Sequence, residues 1–395
     1  TSKRVIDKLK KEELIQIAKK LNLLVPKTMR KDDLKNHIVN TLNSKEQYQT
    51  NYVFPKVPII VAIGDLHGDM EATIKALKLA SVIDRTIPNN TKDINKINWV
   101  GGNKVIVQLG DQIDRVRPNE LVNDLCPEND SELIRDEGSD LKIMLLFSKL
   151  ASQAQKVGGN VISILGNHEL MNVDGDFRYV SPKEFREFGN YFKEERTQDN
   201  SLPYGYKSRK SSFSPGGKIA KHLATHRYSV VVIGSWLFVH GGISKPCAKK
   251  FLLKDINKSI CKWLMGSKDK NNMNYVNAIY HNDNEDESPF WSRVFSDLEM
   301  WDDKCHNKEF RDTINTINKN NNLKVKGMVV GHSPQFMYDK PLNSSCDNCL
   351  WRVDVGMSKA FGECEETDKN RKVQILVIKN DQDLENFLIK NSDKT

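Results

Sequence analysis

The sequence predicts a layered α/β fold, and three features predict it. Short apolar runs rich in β-branched residues recur from Ile59 onward, helical apolar patterns lie between several of them, and five runs break directly into a Gly-containing polar motif. Strands that alternate with helices bury both faces of a sheet, which gives layers of helix on sheet rather than a bundle.

The elements follow in order. Leu14, Ile17, Ala18 and Leu21 repeat at helical spacing, and Leu34, Ile38 and Leu42 do so again. Between them Pro26 ends the first helix and Thr28 can cap the second, so residues 1–45 read as a small helix–extended–helix module. Residues 46–56 are polar and unpatterned and read as a linker. From 57 to 395 the strand rhythm takes over, with runs Ile59–Ile63, Val105–Leu109, Val161–Leu165, Val230–Ile233, Trp236–Val239, Met328–Val330 and Val373–Ile378. Met70–Val82 and Leu141–Ala154 carry helical patterns. Thr86–Asn98 and Lys268–Ser288, rich in Asn and Asp without periodicity, read as exposed loops.

Charge separates the same two parts. The chain of 395 residues has a net charge of +8, and residues 1–45 hold 12 Lys and Arg against 5 Asp and Glu. A basic piece on a near-neutral body points to an anionic partner for that piece, nucleic acid first, through phosphate contacts. No run of about 18 apolar residues is present, so no membrane span is expected. The start of the chain lacks an apolar signal region, and seven scattered cysteines are an odd count, so a reducing intracellular compartment, cytoplasmic or nuclear, is expected. Cys346 and Cys349 form a C-x2-C pair without an evident fourth zinc ligand and read as free thiols. The Asn, Lys and Ile bias suggests an AT-rich genome, of a protist or of a large DNA virus, where the chain would also be found in the virion.

The polar motifs carry the chemistry. Ile63 runs into Gly64-Asp65-Leu66-His67-Gly68-Asp69, Leu109 into Gly110-Asp111-Gln112-Ile113-Asp114-Arg115, and Leu165 into Gly166-Asn167-His168-Glu169. Val239 runs into His240-Gly241-Gly242, and Val330 into Gly331-His332-Ser333. Sites in α/β sheets lie outside the carboxyl ends of strands, so five such ends can converge on one crevice. Mixed Asp, His and Asn donors suit Mn, Fe or Zn better than Ca. Two such ions about 3.5–4 Å apart can share a carboxylate and a hydroxide and stabilise in-line displacement at phosphorus.

In their order these motifs resemble the calcineurin-like metallophosphoesterases over residues 55–362. That resemblance implies a metallophosphoesterase β-sandwich flanked by helices and a dinuclear centre, most readily of Mn. It implies Asp65 and His67 on the first metal, Asp111 bridging, and Asn167, His240 and His332 on the second. His168 would be the general acid oriented by Asp114, and Arg115 would grip the phosphoryl oxygens. Pro334 stands where nucleases of the superfamily have a second His, which points to the phosphoprotein phosphatase branch. The Trp351–Ser358 segment, with Asn167–Asn172 and Phe177–Val180, is similar to the Shewanella-like phosphatases. Val116 departs from that pattern, which has Gly there. Arg178 and Arg293 are candidates for a second phosphate-gripping arginine, with Arg209 behind them. Residues 1–45 resemble a SAP-type module.

The function implied is hydrolysis of phospho-Ser/Thr or phospho-Tyr in a phosphoprotein by a metal-bridging hydroxide. Two other readings compete with it: a nucleotide or dinucleoside-polyphosphate hydrolase, and a silent phosphatase-fold scaffold. The oligomeric state is not legible.

Overall fold

The computed structural model describes residues 6, 9–20, 30–35, 38, 51–117, 137–195, 202–297, 303–362, 371–381 and 387–392. Two mixed six-stranded sheets carry the fold. The first contains β1 (Val53–Phe54), β6 (Val230–Ile233), β7 (Trp236–Val239), β8 (Gly327–Val330), β9 (Asn343–Ser345) and β10 (Leu350–Arg352), in the order β1-β6-β7-β8-β10-β9. The second contains β2 (Ile59–Ile63), β3 (Val105–Gln108), β4 (Asn160–Ile164), β5 (Arg227–Tyr228), β11 (Gln374–Lys379) and β12 (Phe387–Asn391), in the order β12-β11-β2-β3-β4-β5. One continuous apolar core joins both sheets to the helices, with Val61, Ile106 and Ile162 from one and Phe238, Val329 and Leu350 from the other. The expected layered α/β architecture is therefore present.

Strand direction positions the site. In the second sheet β2, β3 and β4 run parallel, with Ile60 beside Val105 and Val105 beside Asn160. In the first, β7, β8 and β10 run parallel, with Trp236 beside Gly327 and Leu350 beside Met328. The first sheet thus offers three neighbouring carboxyl ends and the second four, since β5 also runs parallel to β4. All seven expected strands exist, shifted by a residue at some ends, and both expected helices form, as Met70–Leu79 and Asp140–Gln155.

Two expectations change. Val53 and Phe54 pair with Val232 and Ile233, and Tyr52 joins the main core, so the two-sheet body begins inside the stretch read as a linker. A two-residue strand leaves no periodicity to detect. The stretch read as an exposed loop at 268–288 contains the helix Lys270–Ile279, capped by Asp269 and buried through Asn272, Val276 and Ile279. Its sparse apolar positions are enough to dock one face.

Of the N-terminal module, the helix Lys11–Lys20 is described, and Ile6, Leu14, Ala18, Leu34 and Ile38 form a small core of their own. Lys156 at the end of the Asp140–Gln155 helix pairs with Asp33 at 3.2 Å. Leu21, Pro26, Thr28 and Leu42 lie outside the described residues. Among the described residues no helix is long and apolar enough to cross a membrane.

Candidate active site

The strand ends deliver their side chains to one place. Asp65, His67, Asp111, Asn167, His168, His240 and His332 are all buried, and two groups of three have ligand atoms within 4.8 Å of one another: His67, Asp111 and His168, and Asp111, His240 and His332. Asp111 belongs to both, as a bridging carboxylate would.

The turns off the strands are tight. His67, Asp111, Asp114 and His332 have φ of 41°, 50°, 74° and 71°, in the left-handed region that non-glycine residues rarely occupy. Such strain persists only where the surroundings over-determine it. A Cβ on Gly166 would lie 2.0 Å from Asp111 Oδ1, so only glycine lets the second strand end approach the bridging carboxylate. Glu169 fixes that approach, accepting from the backbone N–H groups of Gly166, Asp111 and Gln112 at 2.7, 3.0 and 2.7 Å. Burial, with Asp111 nearby, pushes the Glu169 carboxyl up to about 7.

Each imidazole is oriented through its other nitrogen. His67 Nδ1 donates to the Ile113 carbonyl at 3.2 Å and His240 Nδ1 to the Leu109 carbonyl at 2.7 Å, which turns Nε2 of both toward the cluster. His332 donates from Nε2 to the Trp291 carbonyl at 3.1 Å, leaving Nδ1. Backbone acceptors of this kind fix tautomer and ring direction in metal sites. His240 Nε2 lies 2.9 Å from Asn167 Oδ1 and 3.2 Å from Asp111 Oδ2. Burial, with Arg117 and His168 nearby, lowers His67 well below the usual range; burial, with Arg293 and His240, does the same to His332. Both imidazoles are thereby held neutral.

The carboxylates test whether cations fit. Burial, then Asp354 and Asp111, push Asp65 well above the carboxylate range, and its Oδ1 has no hydrogen-bond partner. Burial opposes the charge on Asp111 too, yet His240 and His168 hold it well below that range. Unpaired buried carboxylate oxygens beside neutral imidazoles are costly without a cation and favourable with one. The donor set fits two divalent ions.

Beside them stands a proton-transfer pair. His168 Nδ1 is 2.8 Å from Asp114 Oδ2, which leaves Nε2 directed at the cluster, 3.9 Å from Asp111 Oδ2. Asp114 accepts from Asn172 Nδ2 at 3.0 Å and from Arg209 Nη2 at 3.0 Å, and Arg209 also binds Asp140 at 2.7 Å. Arg209 is fully buried behind Asp114, so it props the pair and is no phosphate-gripping candidate.

This pattern decides the family. The chain belongs to the calcineurin-like phosphoesterases. The family model matches residues 59–336. The chain is 32% identical over 337 residues to Shewanella-like protein phosphatase 2 of Arabidopsis thaliana, covering 78% of this chain and 74% of that one. It is 27% identical over 311 residues to Shewanella-like protein phosphatase 1 of Plasmodium berghei, covering 76% and 67%. The fold is that of the cold-active protein-tyrosine phosphatase of a psychrophile Shewanella species, with a TM-score of 0.56, 17% identity and coverage of 95% and 83%. As a calcineurin-like phosphoesterase the chain is a metal-dependent enzyme.

The arginines fall out differently. Arg115 is buried, paired with Asp69 at 3.0 Å and donating to Ser358 Oγ at 3.2 Å, and Ser358 in turn donates to the His67 carbonyl. It braces the turn that carries His67. Arg178 spends its guanidinium on Asp176 at 2.7 Å, 64% exposed. Arg293 donates to Ser333 Oγ at 3.0 Å and to the His332 carbonyl at 3.3 Å, at the rim of the second ligand group. Arg117, which the sequence does not single out, lies 4.7 Å from the Phe361 ring and 5.5 Å from the Tyr179 ring, in the field of Asp111 and Asp114. A run of Asp-Arg-Val-Arg does not say which guanidinium turns inward.

Proposed function

We propose that the chain is a protein phosphatase that hydrolyses phosphomonoesters with two divalent cations, Mn in the first instance, with Fe or Zn suiting the same donors. The observation that carries this reading is the buried cluster in which Asp111 lies within reach of His67 and His168 on one side and of His240 and His332 on the other, with His168 also held by Asp114. When bound, the cations supply a water acidified from a pKa of about 15.7 toward 7 and neutralise the phosphoryl charge.

The chain's own groups do the rest. Asp65, His67 and Asp111 hold the first ion, and Asp111, Asn167, His240 and His332 the second. In its doubly protonated form His168 gives the Nε2 proton to the departing oxygen, and Asp114, accepting from Nδ1, orients the ring and stabilises its charge. Arg117 and Arg293 grip the phosphoryl oxygens, because a planar fork of donors suits them. Arg115 takes the bracing role instead.

Two rings flank the pair of histidines: Tyr179 sits 4.8 Å from His168 and Phe361 sits 5.6 Å from His67, edge to face. They support a phosphotyrosyl group over a phosphoseryl one, as does the fold neighbour that is a protein-tyrosine phosphatase. The deciding experiment compares phosphate release from matched phosphotyrosyl and phosphoseryl peptides, a dinucleoside polyphosphate and p-nitrophenyl phosphate, with Mn added or chelated. Mn-dependent turnover favouring the phosphotyrosyl peptide supports the reading. Turnover of the dinucleotide alone replaces it with a nucleotide hydrolase.

For residues 1–45 the proposed role is a tether to nucleic-acid phosphates. Their deletion is expected to remove salt-sensitive binding of DNA or RNA and to leave p-nitrophenyl phosphate turnover unchanged.

A further inference from the structure

Apart from the two-residue β5, six strand ends in the two parallel runs remain, and five of them lead to residues already assigned. In the second sheet β2 leads to Asp65, β3 to Asp111 and β4 to Asn167; in the first, β7 leads to His240 and β8 to His332. The sixth end belongs to β10, whose pairing with β8 is extended by the bond from Val353 N to the Val330 carbonyl, and the next residue is Asp354.

Asp354 is 1% exposed. Its Oδ1 accepts from the Gly356 N–H at 2.8 Å, while its Oδ2 has no hydrogen-bond partner. The two sheets touch at this point: a Cβ on Gly64 would lie 2.3 Å from the Val353 carbonyl oxygen and 3.0 Å from Asp354 Cα. Asp65 and Asp354 therefore leave adjoining backbones side by side. Asp354 lies in the field of Asp65, Asp111, His240 and Arg117, facing the cluster from the opposite sheet. Two buried carboxylates, each with one unpaired oxygen, repel one another and cannot be satisfied by the protein alone.

We propose that Asp354 is a further anionic residue of the first metal site, its Oδ2 turned to the cation on the same side as Asp65. Asp354 brings from β10 a second carboxylate beside Asp65. A hard oxygen donor there favours Mn over Zn at that position.

The proposal rests on the two-cation reading, and its test separates the two. EDTA-stripped wild type and Asp354→Asn are titrated with Mn by calorimetry and melted with and without it. Asn keeps an acceptor for the Gly356 N–H and removes the charge. Two Mn are expected in wild type, and in the variant one site weakened at least ~10-fold with the other kept. The stripped variant is also expected to melt above stripped wild type, because a repulsion has gone, and to gain less from Mn. A structural role would instead lower the stripped melting point and leave the Mn gain unchanged, which overturns the proposal; so would identical two-site titrations. Wild type binding fewer than two Mn would sink the two-cation reading itself. Asp354→Ser, which also keeps an acceptor, gives the same comparison if the Asn variant does not fold.

Discussion

On the side of the site that gathers Asn167, His240 and His332, the imidazoles are tied through their second nitrogen to the Leu109 and Trp291 carbonyls, and Asn167 Oδ1 meets His240 Nε2. On the side that gathers Asp65 and Asp354, one oxygen of each carboxylate has no partner. The first side is oriented by those bonds, and against the effect of burial the Asp111 carboxylate raises His240 above the usual imidazole range. The second gathers unpaired carboxylate oxygens that a cation would relieve. The same fold thus builds one site ready to receive a metal and one that the metal completes, so the two ions should differ in how strongly they stabilise the protein. Mass action sets the scale: a ligand at 100 times its dissociation constant stabilises the folded state by about 2.7 kcal/mol.

Substitutions can break that comparison. Asp111→Asn strikes both sides at once through the shared carboxylate, and turnover is expected to fall ~10³-fold or more, with circular dichroism confirming the fold. Loss on one substrate only would contradict a bridging role. His168→Ala is expected to cost ~10²–10⁴-fold on a phosphopeptide and much less on p-nitrophenyl phosphate, whose leaving group needs no proton. Equal losses on both would remove His168 from the acid role. Arg117→Ala is expected to raise KM for phosphopeptide at least ~10-fold, whereas Arg115→Ala lowers the melting temperature with a smaller change in KM. The reverse split would return the phosphate contact to Arg115. The smallest effect is expected from Arg178→Ala, within about 0.5 kcal/mol in stability, since its pair with Asp176 is exposed.

Much of this was legible in the sequence because the chemistry and the fold share one signal. An apolar run that stops at Gly and an acidic or imidazole residue marks both a strand end and a ligand, so Asp65, Asp111, Asn167, His240 and His332 could be read together. Asp354 escapes that signal. Its strand is only Leu350-Trp351-Arg352, and the buried Arg352 breaks the apolar run, satisfied in the fold by the Phe295 carbonyl at 2.8 Å. The division of labour between Arg115 and Arg117 was illegible for another reason. Adjacent side chains leave a turn in directions set by partners far along the chain, here Asp69 and Ser358 for one and Phe361 and Tyr179 for the other. The prop behind Asp114 is similar, since Asp140 and Arg209 come from separate helices with nothing in their local sequence to join them.

The alternation of ligands between two sheets has a consequence for how the protein is made. As the chain leaves the ribosome, Asp65, His67, Asp111 and Asn167 emerge with β2, β3 and β4, well before β7, β8 and β10 exist to bring His240, His332 and Asp354. A half-synthesised chain can hold part of one site and none of the imidazoles of the other. Domains begin to fold from the N-terminal side during synthesis, yet here a complete ligand set must wait for β7, β8 and β10 of the first sheet. Order along the chain thus separates Asp65 and Asp111 from the late-arriving His240, His332 and Asp354 by the full span between the two sets of strands.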